Sequence, residues 1–179
     1  MSSKEGTLIK LKNNNEQLES IFERLQEIDS QLLNRKMDEN SWSVIEILNH
    51  LHLSEELTLN YLKYKMESNS TFEKETFRSK YRFILMMFLY TIPNKFKAPE
   101  KISNPSNEDT LETIQEKFAK LRAEFNTFYL DQDDGFFKLA TCKHPAVGRI
   151  RAEKMLRFFN KHTTHHEKQI LRRLISFSS

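Results

Sequence analysis

Glycine, proline and cysteine are all scarce in this sequence, and each scarcity argues against a class of structure. The chain has 3 glycines and 4 prolines among 179 residues, where average usage would give about 12 and 9. So few turn-forming residues argue against a many-stranded sandwich or barrel and favour long helices. The single cysteine, Cys142, cannot form an internal disulfide, which is typical of a reducing compartment.

A long apolar segment is also missing. The longest uninterrupted apolar run has eight residues, 83–90, whereas a helix that spans a bilayer needs about 20. The first 25 residues contain no continuous apolar core and do not resemble a signal peptide. We therefore expect a cytoplasmic protein with no membrane partner, in which residues 83–90 form a buried helix. Docking of this run on a membrane or a second subunit is the alternative.

The length and charge favour one globular domain over residues 1–179. A chain of this size can bury a hydrophobic core without disulfide support. Hydrophobic residues make up 38% of the chain and charged residues 30%, with a net charge of +3. That charge is too small to indicate a polyanionic partner by itself.

Apolar residues recur at three- and four-residue spacing in four long stretches, which predicts four amphipathic helices. Their expected bounds are about residues 8–34, 43–67, 111–128 and 150–177, and a shorter helix is expected over about 77–90. The second helix starts with an S-x-x-E capping box formed by Ser43 and Glu46.

Prolines and glycines divide the helical stretches. Three of the four prolines lie within residues 93–108, which predicts a long ordered connection. Residues 132–148 contain two glycines and a proline and are predicted to form a loop. Four long helices, one short helix and a long central connection predict an all-α four-helix bundle.

Three of the six histidines lie within five residues of the last predicted helix. His162 and His166 are about one helical turn apart, so both can reach one metal ion. They share a face with Met155, Phe159 and Ile170, so we expect them to point at the core, where an unsatisfied imidazole is costly. A metal ion would satisfy them, and so would hydrogen bonds to buried carboxylates. A solvated, partly basic face is the third interpretation.

A third ligand would have to come from another helix. His50 and His52 lie on the second predicted helix, on opposite sides of an apolar stripe centred near Leu51. Periodicity does not choose between the two. On spacing alone, each is a histidine at the boundary of the stripe rather than a ligand.

Several segments resemble motifs of the DinB/YfiT-like superfamily. Residues 42–51 read WSVIEILNHL and resemble the signature W-S-x-x-E-[IL]-L-x-H-L. Residues 144–148 read HPAVG and residues 162–170 read HTTHHEKQI, and together they resemble H-P-x-x-G followed by H-x-x-x-H-x-x-Q-I. Residues 96–100 with Pro105 resemble the K-A-P-E loop of a subset of the family. The resemblance covers nearly the whole chain, in the right order.

This resemblance implies a bundle with an up-down-down-up helix arrangement, often dimeric, and a three-histidine site for a divalent ion, usually zinc or nickel. Carried onto this sequence, the first motif supplies His50 and the second supplies His162 and His166. Many members have a tryptophan in the turn before the second motif, where this chain has Met155 and Leu156. That departure concerns the subfamily and not the site.

Such a site suggests catalysis. Three imidazoles leave a coordination position open, which is typical of a catalytic rather than a structural ion, and nitrogen ligands without thiolates suit zinc, nickel, copper or iron(II). Members of the family are known or proposed as metal-dependent hydrolases and as transferases that use a low-molecular-weight thiol such as bacillithiol or mycothiol. The resemblance therefore implies a metal-dependent enzyme that acts on a small-molecule substrate, assembled as a homodimer.

The competing interpretation is a non-catalytic bundle that acts as a dimeric interaction module or binds nucleic acid. Eight basic residues and two acidic ones lie between Arg149 and Arg173. The basic residues are spread around the helix, as on a solvated outer face, and no nucleic-acid motif accompanies them. Nucleic acid is therefore the less favoured partner.

Five other residues carry expectations of their own. Glu46 is one turn before the histidine of the first motif and could support it, although the capping box is the simpler interpretation. Gln169 could orient a ligand or a substrate. We expect His144 to be a turn or packing residue and Trp42 to be a hydrophobic staple or core anchor. Cys142 has no neighbouring His–acid pattern, so we do not expect it to be a nucleophile.

Overall fold

Six α-helices account for most of the computed structural model, which describes residues 3–92 and 100–177. The helices are α1 (Ser3–Leu25), α2 (Ser30–Asn34), α3 (Val44–Glu67), α4 (Phe77–Leu89), α5 (Leu111–Leu130) and α6 (Ala152–Phe177). Two short strands, β1 (Cys142–His144) and β2 (Gly148–Ile150), pair as an antiparallel hairpin between α5 and α6.

The four long helices form the predicted bundle. Helix α1 lies against α5 and α6, and α3 lies against the same two helices. The all-α fold is confirmed, with α4 as the short extra helix. The central connection contains a 3-10 turn at Glu100–Ile102, whereas residues 96–99, which carry most of the K-A-P-E resemblance, lie outside the described residues.

The first predicted helix is in fact two helices. Helix α1 begins before residue 8 and ends at Leu25, and α2 begins after Asp29, whose carboxylate accepts a hydrogen bond from the backbone N–H of Gln31 at 2.7 Å. Leu33 of α2 is buried in the same hydrophobic cluster as the apolar residues at the end of α1. The spacing of apolar residues therefore continues across the break. Periodicity alone therefore does not reveal the break.

The last residues of the segment 132–148, which was predicted to be a loop, instead belong to the β-hairpin. Residues 142–144 pair with residues 148–150, and Gly148 has a φ of +95° that residues other than glycine rarely adopt. A Cβ at this position would also lie 3.3 Å from the Ser79 hydroxyl oxygen of α4. The glycine of the H-P-x-x-G motif therefore allows the chain to turn close to α4.

The apolar run over residues 83–90 is only half buried, contrary to the expectation from its sequence. Phe83 and Met86 of α4 are buried, whereas Ile84 and Phe88 are 67% and 59% exposed. The reason is that α4 packs on the bundle and the hairpin with one face only. Among the described helices, none combines the length and the apolar character that crossing a bilayer requires.

Two hydrophobic clusters fill the bundle, and buried polar side chains lie between them. Along α6, for example, Phe159 belongs to one cluster and Ile170 to the other. The buried polar residues that separate the clusters along α1, α3 and α6 are Asn14, His52, Glu55, Thr58, His162, Thr163 and His166. Because buried polar groups are costly unless they are bonded, this polar layer is where a functional site is most expected.

The Ser43 cap should contribute measurably to stability. The Ser43→Ala variant loses the side-chain acceptor for the Glu46 backbone N–H and a hydrogen bond to Asn107, so we expect the free energy of unfolding to fall by about 1 to 2 kcal/mol. Denaturant titration followed by circular dichroism measures this loss. Ser20→Ala, at an exposed position of α1, is the matched control. Equal stability of the two variants would contradict the role of the cap.

Candidate metal centre

The N-terminal end of α3 is held by the predicted capping box. The Ser43 hydroxyl oxygen accepts from the Glu46 backbone N–H at 3.1 Å, and the Glu46 carboxylate accepts from the Ser43 backbone N–H at 2.8 Å. The other Glu46 oxygen pairs with Lys36 at 2.8 Å. The capping interpretation of Glu46 is confirmed, and its carboxylate bonds to these groups rather than to a histidine.

Three buried histidines meet where α3 lies against α6. The Nε2 atom of His162 lies 3.2 Å from Nε2 of His50 and 3.0 Å from Nε2 of His166. Within residues 3–92 and 100–177, these three form the one group of histidine, cysteine or acidic side chains whose ligand atoms are placed to hold a metal ion. The structure thus brings together the three residues implied by the resemblance, which we call the triad.

The spacing of the triad nitrogens fits a shared ion. Ligand nitrogens about 2.0 to 2.1 Å from one zinc ion are separated by about 2.9 to 3.4 Å when the angles at the ion lie between octahedral and tetrahedral values. The two Nε2 separations in the triad, 3.0 and 3.2 Å, lie within this interval. The third separation, between His50 and His166, is within 4.8 Å, so the triad nitrogens are close enough together to share one metal ion.

Hydrogen bonds to the far side of two rings set their tautomers. Nδ1–H of His50 donates to the backbone carbonyl of Ile102 at 2.9 Å, and Nδ1–H of His166 donates to the Gln169 side-chain oxygen at 2.9 Å. A carbonyl oxygen can only accept, so in each neutral ring the proton lies on Nδ1. Both Nε2 lone pairs then point into the triad, as a metal ligand requires.

Burial keeps all three rings neutral. Desolvation is the largest cause in each case: it lowers the pKa of His50, lowers that of His166 to about 3, and lowers that of His162 well below its usual range. The neighbouring imidazoles lower the pKa values of His162 and His166 further. Neutral imidazole is the form that binds metal, so no ring has to lose a proton first near neutral pH.

The triad forms part of the wall of a cavity of about 1230 Å³. Residues of α3, α4 and α6, the hairpin and the segments around Trp42 and Ile102 line the cavity. Its charged lining residues are Asp38, Arg82, Glu100, Lys143 and Arg173. A small molecule in this cavity would therefore lie beside the three nitrogens.

Comparison with known protein families identifies the family of the chain. The model of the family described as "DinB superfamily" matches residues 14–170. The chain belongs to the DinB superfamily. No curated protein matches the sequence. The family assignment suggested by the two histidine motifs is confirmed, and the triad of this DinB-like chain lies within the matched residues.

Trp42 contacts the triad, which sequence reasoning did not anticipate. Its ring centroid lies 4.7 Å from that of His50 and 6.3 Å from that of His166. Nε–H of Arg173 donates to the Trp42 carbonyl, and Nη1–H of Arg173 donates to the Gln169 carbonyl at 3.2 Å. Arg173 therefore links the backbones of two residues that contact His166.

Gln169 contacts His166 and His165, and a role in orienting a ligand was one possibility that its position in the sequence allowed. Its oxygen accepts from His166, and its amide nitrogen donates to Nε2 of His165 at 3.2 Å. The Ile102 carbonyl that bonds to His50 is the partner that sequence reasoning missed. No sequence signal identifies it, because any residue at position 102 would offer the same backbone oxygen.

The other histidines and the cysteine lie outside the triad. His52 packs edge-on against Phe118 of α5, with ring centroids 5.3 Å apart. His144 packs against Phe158 at 4.5 Å, as expected of a packing residue. Cys142 is fully buried, and burial raises the pKa of its thiol to about 12, so it lacks the thiolate character of a nucleophile.

Replacing Gln169 should weaken metal binding without removing a ligand. In the Gln169→Leu variant, His166 loses the acceptor that orients its ring, and we expect the affinity for zinc or nickel to fall about 10- to 100-fold. Competition against a chromophoric chelator measures the affinity. Gln26→Leu, whose exposed side chain donates to the Gln115 side-chain oxygen at 3.5 Å, is the control. Unchanged affinity in Gln169→Leu would show that the ring needs no such support.

Proposed function

We propose that this DinB-like chain is a metal-dependent enzyme that acts on a small-molecule substrate, of the thiol-dependent S-transferase or hydrolase type. The observation that carries the proposal is that three histidine Nε2 atoms meet on the wall of a large cavity. Nε2 of His162 lies 3.2 Å from that of His50 and 3.0 Å from that of His166. Zinc and nickel are the ions that we propose for this site.

The composition of the triad favours a catalytic ion over a structural one. Structural zinc sites are closed by four protein ligands, whereas catalytic sites have three and leave a position for water or substrate. Among the described residues the ligand group consists of three histidines. Their position in the cavity wall gives a substrate access to the position that they leave open.

In this proposal the ion supplies the chemistry, and the residues around the triad orient its rings and shield them from water. When bound, a divalent ion supplies a Lewis acid that polarises a substrate or makes a nearby water or thiol more acidic. Ile102 and Gln169 orient the rings of His50 and His166 through hydrogen bonds. Phe158 stacks on His162, with ring centroids 5.0 Å apart, and Trp42 covers His50, so aromatic rings limit the access of water.

Metal content is the first test of the proposal. We expect purified, untagged protein to contain close to one equivalent of a transition metal by elemental analysis, and the variants His50→Ala, His162→Ala and His166→Ala each to lose it. His52→Ala is the matched control, because His52 is a buried histidine of the same helix that packs on α5 instead. Circular dichroism confirms that the variants remain folded.

Two results would contradict the metal site. One is native protein that stays free of metal after refilling with zinc or nickel. The other is retention of the metal in a folded triad variant. Either result would make the triad a set of packed core histidines, and the non-catalytic interaction module would become the better interpretation.

Dependence on a thiol separates the two reaction types. We expect the metal-loaded protein to turn over small electrophiles or hydrolysable substrates, and His162→Ala to lower the rate at least about 100-fold, since a central ligand is removed. A rate that requires added low-molecular-weight thiol identifies a transferase, and a rate independent of thiol identifies a hydrolase. Equal rates for native protein and His162→Ala would contradict catalysis at the triad.

A further inference from the structure

Helix α4 exposes an apolar stripe that no described residue covers. The stripe consists of Phe77, Tyr81, Ile84 and Phe88, which are 88%, 68%, 67% and 59% exposed. Steps of four, three and four residues place them on one face of the helix. The buried residues Ser79, Phe83 and Met86 lie on the opposite face. The stripe is therefore a continuous feature rather than a set of scattered apolar residues.

Basic side chains border this stripe on both sides. Arg78 and Lys80 are both exposed, and α4 contains no acidic residue. At 100° per residue, Arg78 and Lys80 lie roughly 80° from the centre of the stripe in opposite directions. Lys80 already folds along the stripe, with Nζ 5.2 Å from the centroid of the Phe77 ring. Long basic side chains in such positions can keep their charge in water or near anionic headgroups while the apolar face is buried.

We propose that α4 docks the protein on the surface of an anionic lipid bilayer, with the stripe entering the headgroup region. A helix that lies in the plane of the interface needs an apolar face and basic flanks, and it does not need the length of a spanning helix. The sequence favoured no membrane partner, with docking of residues 83–90 on a membrane or a second subunit as the alternative. The exposure of Ile84 and Phe88 favours that alternative.

Charge and area both favour a membrane over a second copy of the chain. An interface between two α4 stripes would bring the basic flanks of both copies together, which is unfavourable. The four stripe residues expose about 500 Å² in total, judged from the usual area of such side chains. A stable protein interface buries about 800 Å² on each partner. An anionic surface instead offers a complement to Arg78 and Lys80 on the two sides of the stripe.

The cavity lies next to the proposed contact. Arg82 and Leu85 of α4 line the cavity that contains the triad, and Leu85 is 44% exposed at the edge of the stripe. A protein docked through α4 would therefore hold one wall of the cavity close to the lipid. The docking itself requires no metal and no catalysis.

Vesicle co-sedimentation with the full chain tests the proposal. We expect binding to vesicles of phosphatidylcholine mixed with phosphatidylglycerol, little binding to phosphatidylcholine alone, and release as salt is raised. Ile84→Ser should weaken binding by about tenfold because an apolar contact is lost. Ile175→Ser is the matched control, because Ile175 of α6 is also 67% exposed and should leave binding unchanged.

A charge variant tests the second half of the proposal. Lys80→Gln should weaken binding to the anionic vesicles about fivefold, whereas Lys120→Gln, at an exposed position of α5, should have no effect. Equal binding to both kinds of vesicle, or equal loss in Ile84→Ser and Ile175→Ser, would overturn the proposal. So would a native dimer that ignores vesicles and is split by Ile84→Ser in analytical ultracentrifugation, since the stripe would then join two copies of the chain.

Discussion

The burial of three neutral imidazoles with their Nε2 atoms facing one another is the constraint on which the structure around the site depends. Lone pairs about 3 Å apart oppose each other unless a proton or a cation lies between them. Each outer ring also needs an acceptor for its Nδ1–H, and the Ile102 carbonyl and Gln169 provide these. This arrangement therefore requires α3 to bring His50 beside His162 of α6 and the central connection to bring the Ile102 carbonyl to His50.

The sequence predicts the long helices well because amphipathic periodicity and packing agree along them. It fails at Asp29, where the capping carboxylate starts a new helix while the apolar period continues through Leu33. It also misses the short hairpin, whose turn depends on the positive φ of Gly148 and on its proximity to Ser79. Both features depend on local backbone geometry or tertiary contact, and neither changes the spacing of apolar residues.

In the candidate site, too, helix periodicity predicts some features, whereas others depend on tertiary contacts. The four-residue spacing of His162 and His166 predicts a shared face, but periodicity treats His50 and His52 alike because they flank Leu51. The structure separates the two: His50 faces α6 and joins the triad, whereas His52 faces α5 and packs on Phe118. That choice depends on which helices neighbour α3, and helix periodicity contains no information about neighbours. The motif resemblance supplied the missing choice.

Helix α4 shows why exposure is harder to predict than helicity. Eight consecutive apolar residues on a helix cover its whole circumference, and such a helix is normally buried on all sides. In this chain the bundle and the hairpin cover one side, including Phe83 and Met86, and leave Ile84 and Phe88 exposed. The same helix contributes Arg82 and Leu85 to the cavity of the triad. Any partner that covers the stripe would therefore contact a helix that also lines the cavity of the triad.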